Sequence, residues 1–258
     1  MRIVILTALW QRPMLSHIFL AYYQAMKRRF EGRLDLYLLA VGSEGEISQN
    51  LAATYEWAYI EAPNQPLSAK WSAGSQSLRA LKPDATIILG SDDFISDALL
   101  DRYLVALDQG HQVLGVLDAY FFECGTERLF HWKGYPPNWR HNETIGMGRC
   151  ISRQVMERLD YDPWGDCRIN SGLDLAMSKR LKILAIEPYG QRQSDLGAVA
   201  VDIKCGQNIT SLSAQLGKES RYYTLIANAA LWFAQQLPAL DYARIKTCAE
   251  PNPTEFTF

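Results

Sequence analysis

The sequence predicts an α/β domain built on a mostly parallel sheet flanked by helices, with a small antiparallel edge and a C-terminal helix. Three observations carry this. Arg2 to Ala8 and Leu34 to Val41 are apolar runs separated by a segment with apolar residues at helical spacing, giving two βα units in series, which favours parallel strands with right-handed crossovers. Ala85 to Ser96, ATIILGSDDFIS, is a short apolar run that stops at Gly90-Ser91-Asp92-Asp93, the pattern of a buried strand with a polar carboxyl end. From Asp118 onward the alternation breaks, and Tyr120 to Cys124 with Arg128 to Trp132 read as an antiparallel hairpin about Gly125-Thr126.

In order, Arg2 to Ala8 is the first strand, broken by Leu9-Trp10-Gln11-Arg12-Pro13. Pro13 suits the first turn of a helix, and Leu15, Ile18, Phe19, Tyr22, Met26 and Phe30 give that helix one buried face, ended by Glu31-Gly32. The second strand stops at Gly42-Ser43-Glu44-Gly45. A short helix near Ile47 to Tyr55 and a strand from Trp57 to Ala62 follow. Leu67 to Leu81 reads as a helix whose small residues Ala69, Ala73, Gly74 and Ser75 allow close approach of a neighbour. Lys70 lies in its first turn, where a cation gains nothing from the helix dipole and is free to serve something outside the helix; a solvated lysine is the plain alternative. After the acidic turn come a helix over Ala98 to Leu107 and a strand over His111 to Leu117.

Lys133 to Arg149 reads as an irregular loop, and Trp132, Tyr135 and Trp139 argue that it is ordered and able to stack on a ring or pack on itself. Ser152 is expected to cap a helix to about Leu159, and Asn170 to Leu181 to form another with Asp174 near its start. Strands are expected at Lys182 to Glu187 and Ala198 to Lys204, and an amphipathic helix from Ser220 to Leu237 before a Pro-containing tail.

Composition narrows the class. At 258 residues and 48% hydrophobic content the chain can bury a core without staples. Its five cysteines form no CxxC pair, which disfavours a disulfide framework or zinc site, and the four histidines lack metal-ligand spacing. No apolar run reaches the ~20 residues of a membrane span and no signal-peptide pattern opens the chain, so a cytoplasmic location is expected. A formal charge of −2 disfavours strong non-specific attraction to nucleic acid.

The acidic turn carries the functional reading. Strand carboxyl ends are where open α/β sheets hold ligands, and two adjacent carboxylates are costly to bury uncompensated. Mg²⁺ or Mn²⁺ would compensate them and work beside nucleotide phosphates. The alternative is a solvated loop in which Asp93 or Asp97 caps the next helix.

The order of signals resembles glycosyltransferases of the GT-A type, a Rossmann-like architecture, especially glycosyltransferase family 2 and its relatives. The features are a T-x-x-x-R-P-like loop from Thr7 to Pro13 with one extra residue, a polar turn after the second strand, a helix with a basic residue and small neighbours at Lys70 to Gly74, and a strand ending in Asp92-Asp93. The resemblance spans roughly residues 2 to 205. It implies a catalytic domain over 1–215, with a nucleotide-sugar half (1–118) and an acceptor half (119–215), followed by a helix and tail over 216–258. It implies a metal-dependent, inverting hexosyltransferase-like transfer from a nucleotide sugar, with a UDP-sugar expected, to an acceptor hydroxyl. Thr7, Arg12, Glu44, Lys70, Ser91 and Asp92 are the expected donor contacts. Asp93, Asp92 and, late in the fold, Asp202 are the expected ligands of Mn²⁺ or Mg²⁺, with Ser91 standing where the family's metal motif has its first acid. Asp174 is the implied general base, with Glu143 and Asp166 as alternatives. The acceptor stays open between a saccharide and a hydroxylated base in DNA. A nucleotidyltransferase on a sugar phosphate is disfavoured by Leu9-Trp10-Gln11, which stands where many such enzymes carry a glycine-rich loop. A non-catalytic sugar- or nucleotide-binding module is the third reading.

Overall fold

The computed structural model describes residues 1–137, 139–205, 212 and 220–249. In chain order the first half runs β1 (Arg2–Ala8), α1 (Pro13–Arg29), β2 (Asp35–Gly42), α2 (Glu46–Thr54), β3 (Ala58–Glu61), α3 (Leu67–Ser77), β4 (Ala85–Ile88), β5 (Asp93–Ile95), α4 (Asp97–Asp108) and β6 (Val113–Val116). The rest is β7 (Ala119–Glu123), β8 (Arg128–Trp132), β9 (Arg149–Ser152), α5 (Arg153–Arg158), α6 (Leu173–Ile183), β10 (Tyr189–Gln191), α7 (Gln193–Leu196), β11 (Ala200–Lys204), β12 (Tyr223–Ile226), α8 (Ala229–Gln236) and α9 (Tyr242–Lys246).

The strands form two sheets. One has the order β10-β6-β9-β4-β1-β2-β3, in which β9 alone runs against its neighbours β4 and β6. The other has the order β12-β8-β7-β11-β5 and is antiparallel except where β11 lies along β7. The mostly parallel sheet flanked by helices is thus as the sequence predicts, while the antiparallel part is larger than an edge: it is a sheet of its own, to which the first half contributes β5.

The continuous apolar run of β1 follows from burial on both faces. Ile3 and Ile5 point into the core shared with α1 (Phe19, Tyr23), α4 (Leu99, Leu100) and the second sheet, whereas Val4 and Leu6 point into the core under α3, α5 and α6 (Trp71, Val155, Leu181). Helix α3 lies close on this second face. A Cβ at Gly74 would overlap the Val41 side chain and come within 2.9 Å of Leu6 Cδ1, which is why a small residue stands there.

Four local expectations change. Asp93 to Ile95 is a strand, because Phe94 is fully buried and the segment pairs with β11; Ser96, rather than Asp93 or Asp97, caps α4 by accepting from Leu99 N at 3.3 Å. Arg149 to Ser152 is a strand between β4 and β6 that its two apolar residues were too few to announce, and Ser152 precedes α5 without a side-chain capping bond. Helix α6 continues to Ile183, so the expected strand at Lys182 to Glu187 is displaced to Tyr189–Gln191, which pairs with β6. The expected helix from Ser220 to Leu237 is divided: aromatic and β-branched Tyr223 to Ile226 add a strand to β8, and α8 starts only after Asn228, at φ 54°, accepts from Leu231 N. The tail expected to lie loose after Leu237 is instead packed where it is described, with α9 (Tyr242–Lys246) burying Ile245 in the core; the stretch beyond 249 lies outside the described residues. Among the described residues no helix is long and apolar enough to cross a membrane.

Replacing Gly74 by Ala tests the close approach of α3. Alanine gains up to about 1 kcal/mol of helix propensity, but overpacking costs ~1–3 kcal/mol. A net loss of about 1 kcal/mol in urea unfolding is the expected outcome, and a gain in stability would show that the neighbours yield.

Candidate active site

The loops leaving β1, β3 and β4 at their carboxyl ends, the first turns of α3 and the end of β11 enclose a cleft of about 570 Å³. That is a size and position suited to a small-molecule ligand. Arg12, Lys70 and Lys204 supply cationic side chains to its lining, Asp92 a carboxylate, and Trp10 and Trp71 indole surface.

Arg12 spans the turn predicted to carry the chemistry. Its Nη1 donates to Asp92 Oδ2 at 2.8 Å and its Nη2 to Ser91 Oγ at 2.8 Å. Burial alone would raise the Asp92 carboxyl; Arg12 and Lys204 outweigh it and hold the group below the ordinary carboxylate range. Asp93 turns away from the cleft, accepting from Gly90 N at 2.8 Å, and burial together with Asp92 and Asp202 pushes its carboxyl well up. A Cβ at Gly90 would stand 2.6 Å from Asp92 Oδ1, so glycine is needed for the turn to fold back on itself.

Strand β11 completes the cluster. Asp202 pairs in register with Asp93, and Ile203 N donates to Asp92 O at 2.8 Å, so the strand is tied to the acidic turn. Alternation then puts Lys204 on the same face as Asp202, and its Nζ donates to Asp202 Oδ2 at 2.5 Å. Burial raises the Asp202 carboxyl to about 6 against the pull of Lys204, and its Oδ1 is buried without a hydrogen-bond partner. Burial would lower the Lys204 ammonium, but Asp202 and Asp92 raise it, so it stays charged.

The expected ion can be tested against this donor set. Asp92 already meets the guanidinium of Arg12, Asp202 already meets the ammonium of Lys204, and Asp93 turns away to accept from Gly90 N. Two carboxylates are therefore matched by two built-in cations, and a divalent ion brought to them would sit against both. Among the described residues no group of three or more His, Cys, Asp or Glu side chains is placed to hold a metal. As arranged, these residues do not fit Mg²⁺ or Mn²⁺.

The other expected donor contacts divide. Lys70 is fully buried, and its three N–H bonds go to Leu9 O at 2.6 Å, Ser43 Oγ at 2.9 Å and Asn64 Oδ1 at 3.2 Å, so it fastens the loops after β1, β2 and β3 to α3. Burial lowers its ammonium from the ordinary 10.5 to about 8. Glu44 stands beside the cleft, accepting from Gln11 N at 3.2 Å and Ser48 Oγ at 3.1 Å. Thr7 is fully buried in β1 with an unpartnered Oγ1 and does not line the cleft.

Asp174 also lies outside the cleft lining. Its Oδ2 accepts from Arg140 Nη2 at 2.7 Å and Tyr135 Oη at 2.8 Å, and its Oδ1 meets fully buried Arg149 Nη2 at 2.6 Å. Glu143 joins the same cluster through Arg140 at 2.7 Å and through Lys182. The carboxylate proposed as a base is thus held by two guanidinium groups, and it anchors the aromatic loop. Asp166 lies in the turn before α6 and likewise does not line the cleft.

Three residues escaped sequence reading. Lys204 had a usable signal, its i+2 relation to Asp202 in a strand. Asn64 and Asn170 had none; Asn170 Oδ1 accepts from Leu67 N at 2.8 Å and joins the loop before α6 to the start of α3.

No protein-family model matches the sequence, and no curated protein matches it. Among solved structures, the chain is similar to 4-diphosphocytidyl-2C-methyl-D-erythritol synthase from Anaerococcus prevotii DSM 20548, at 9% identity and TM-score 0.50 over 74% of this chain and 88% of that one. It is also similar to a nucleotide-diphospho-sugar transferase from Desulfovibrio desulfuricans G20, at 12% identity and TM-score 0.47 over 96% and 99%, and to S. aureus TarS, at 10% identity and TM-score 0.49 over 74% and 35%. The first of these, at 9% identity, speaks to the fold alone, and the fold is GT-A-like.

Two outcomes follow from the buried charges. Asp174→Asn leaves Arg149 buried without its counter-ion; because Asp174 is partly exposed, a loss of about 2–3 kcal/mol in urea unfolding is expected. An unchanged midpoint would release Asp174 from its anchoring role. For Lys70, the unfolded side chain holds its proton up to about pH 10.5 and the folded one only to about 8, so the unfolded state binds more protons in that window and stability rises with pH across it. Wild type should therefore gain on the order of 1 kcal/mol relative to Lys70→Met between pH 7.5 and 9.5, measured by paired urea titrations. A constant difference would place the Lys70 ionisation elsewhere.

Proposed function

We propose that this chain is a glycosyltransferase that moves a sugar from a nucleotide-sugar donor, a UDP-sugar, to an acceptor hydroxyl. The observation that carries this reading is the convergence of Arg12 and Lys204 with the indoles of Trp10 and Trp71 in one cleft at the carboxyl ends of β1 and β4. Cations answer a diphosphate and flat apolar rings answer a base. Lys70 supports the site from below, because the loops that bear Trp10 and Asn64 are both fixed by its ammonium.

Beside the cationic end of the cleft the second sheet packs a cluster of aromatic rings. Phe121, Trp132 and Tyr223 cluster with ring centroids 6.1 to 6.4 Å apart, and Lys204 Nζ stands 5.4 Å from the Phe121 ring centre. Phe121 and Trp132 are buried and none of the three rings lines the cleft, so the cluster backs Lys204 from within the core. In this reading Arg12 and Lys204 stabilise the charge that develops on the leaving diphosphate.

The test is to incubate the purified protein with a panel of nucleotide sugars and saccharide acceptors and to identify the released phosphate species. Nucleoside diphosphate release that depends on acceptor is the expected result. Pyrophosphate release from a nucleoside triphosphate and a sugar phosphate would assign nucleotidyl transfer instead, and donor binding with no turnover on any acceptor would favour a binding module.

A further inference from the structure

Lys204 is the group in the cleft that the sequence motifs do not explain. A buried lysine on a strand needs a reason, since an ammonium away from water costs several kcal/mol unless it is paired, and replacing such a pair by apolar residues is often neutral or stabilising. Its partner Asp202 is equally buried, so surface solubility explains neither. The strand that carries both is pinned on two sides, by its pairing with β5 and β7 and by the bond from Ile203 N to Asp92 O, so the ammonium is delivered to one place. That place is the cleft wall beside Asp92, whose carboxylate is held by Arg12.

We propose that Lys204, together with Arg12, is a built-in cation that takes the place of a divalent metal in binding the diphosphate of a nucleotide substrate. The proposal rests on the reading of the cleft as a nucleotide site. In the resting protein the two carboxylates hold the cations in position; when a diphosphate enters, the ammonium and guanidinium are shared with its oxygens. During transfer the acceptor oxygen bonds to the anomeric carbon and the bond from that carbon to the diphosphate oxygen breaks. Its electron pair leaves with the diphosphate, where Lys204 meets it, and the acceptor proton passes to solvent water. A fixed cation does this without the exchange kinetics of a dissociable ion, and it makes the bare nucleotide, rather than a metal complex, the species recognised.

Calorimetric titration of inorganic pyrophosphate and of UDP into EDTA-treated protein tests this, with Mg²⁺ added back in a second series. Both probes are expected to bind without metal, with a Kd changed less than threefold by Mg²⁺, taken as roughly the scatter of such comparisons. Lys204→Gln is expected to weaken both by roughly tenfold or more, the scale of a lost charged hydrogen bond, while Lys204→Arg retains most of the affinity. Because Lys204→Gln alone leaves Asp202 buried without a cation, the double variant Lys204→Gln with Asp202→Asn is titrated beside it, and thermal melts confirm that each is folded. Binding that appears only with Mg²⁺, or that the folded double variant leaves unchanged, would overturn the proposal. Pyrophosphate bound through Lys204 with no added affinity for UDP or any other nucleoside diphosphate would leave the cation role standing and defeat the nucleotide-sugar reading instead.

Discussion

The pairing of β11 with β5 is the constraint on which the cleft depends. It sets Asp202 opposite Asp93, lets Ile203 N reach Asp92 O, and by simple alternation delivers Lys204 to the same face. A slip of one residue would turn Asp202 and Lys204 to the opposite face and bring Val201 and Ile203 to the acids. The register is protected by the side chains between, for Phe94, Val201 and Ile203 are fully buried and packed in the same core as α1. Apolar burial thus fixes the geometry of a charged site it does not touch.

The charges themselves are arranged as opposed pairs rather than as a field of one sign. Arg12 with Asp92 and Lys204 with Asp202 occupy the cleft. Arg140, Arg149 and Glu143 surround Asp174 behind the aromatic loop. The two clusters have different tasks. The first lines a cavity and its cations reach open space. The second is closed on itself: Tyr135 lies under the Arg140 guanidinium at 4.2 Å from its ring centre, and Trp132 and Trp139 pack edge-on against Tyr135. That closure gives order to a stretch that has little regular backbone structure.

Much of the fold was legible because β1, α1, β2, α3 and β4 declare themselves by period and by their stops, and the turn at Ser91-Asp92-Asp93 stands where an apolar strand ends. What was not legible has a common cause. β5, β9 and β12 are three or four residues long, too short for a period, and exist because an edge elsewhere in the molecule accepts them. The same limit governed the site. Arg12 and Asp92 meet across 80 positions and Asp93 and Asp202 across more than 100, so sequence could nominate them separately but could not show that Asp92 and Asp202 arrive with cations attached. Asp174 illustrates the converse: an acid in the first turn of a helix has the right sequence look for a base, while its two arginine partners are brought by distant strand and loop positions.

The Lys70 ammonium makes three separate loops share one fate. Each of its bonds ends on a different connection, after β1, after β2 and after β3. Withdrawing any one acceptor leaves a donor stranded in a buried wall, which raises the cost of keeping the other two in place. The loops after β1, β2 and β3 are therefore coupled through one buried ammonium, so that lifting any of them loosens the hold on the others.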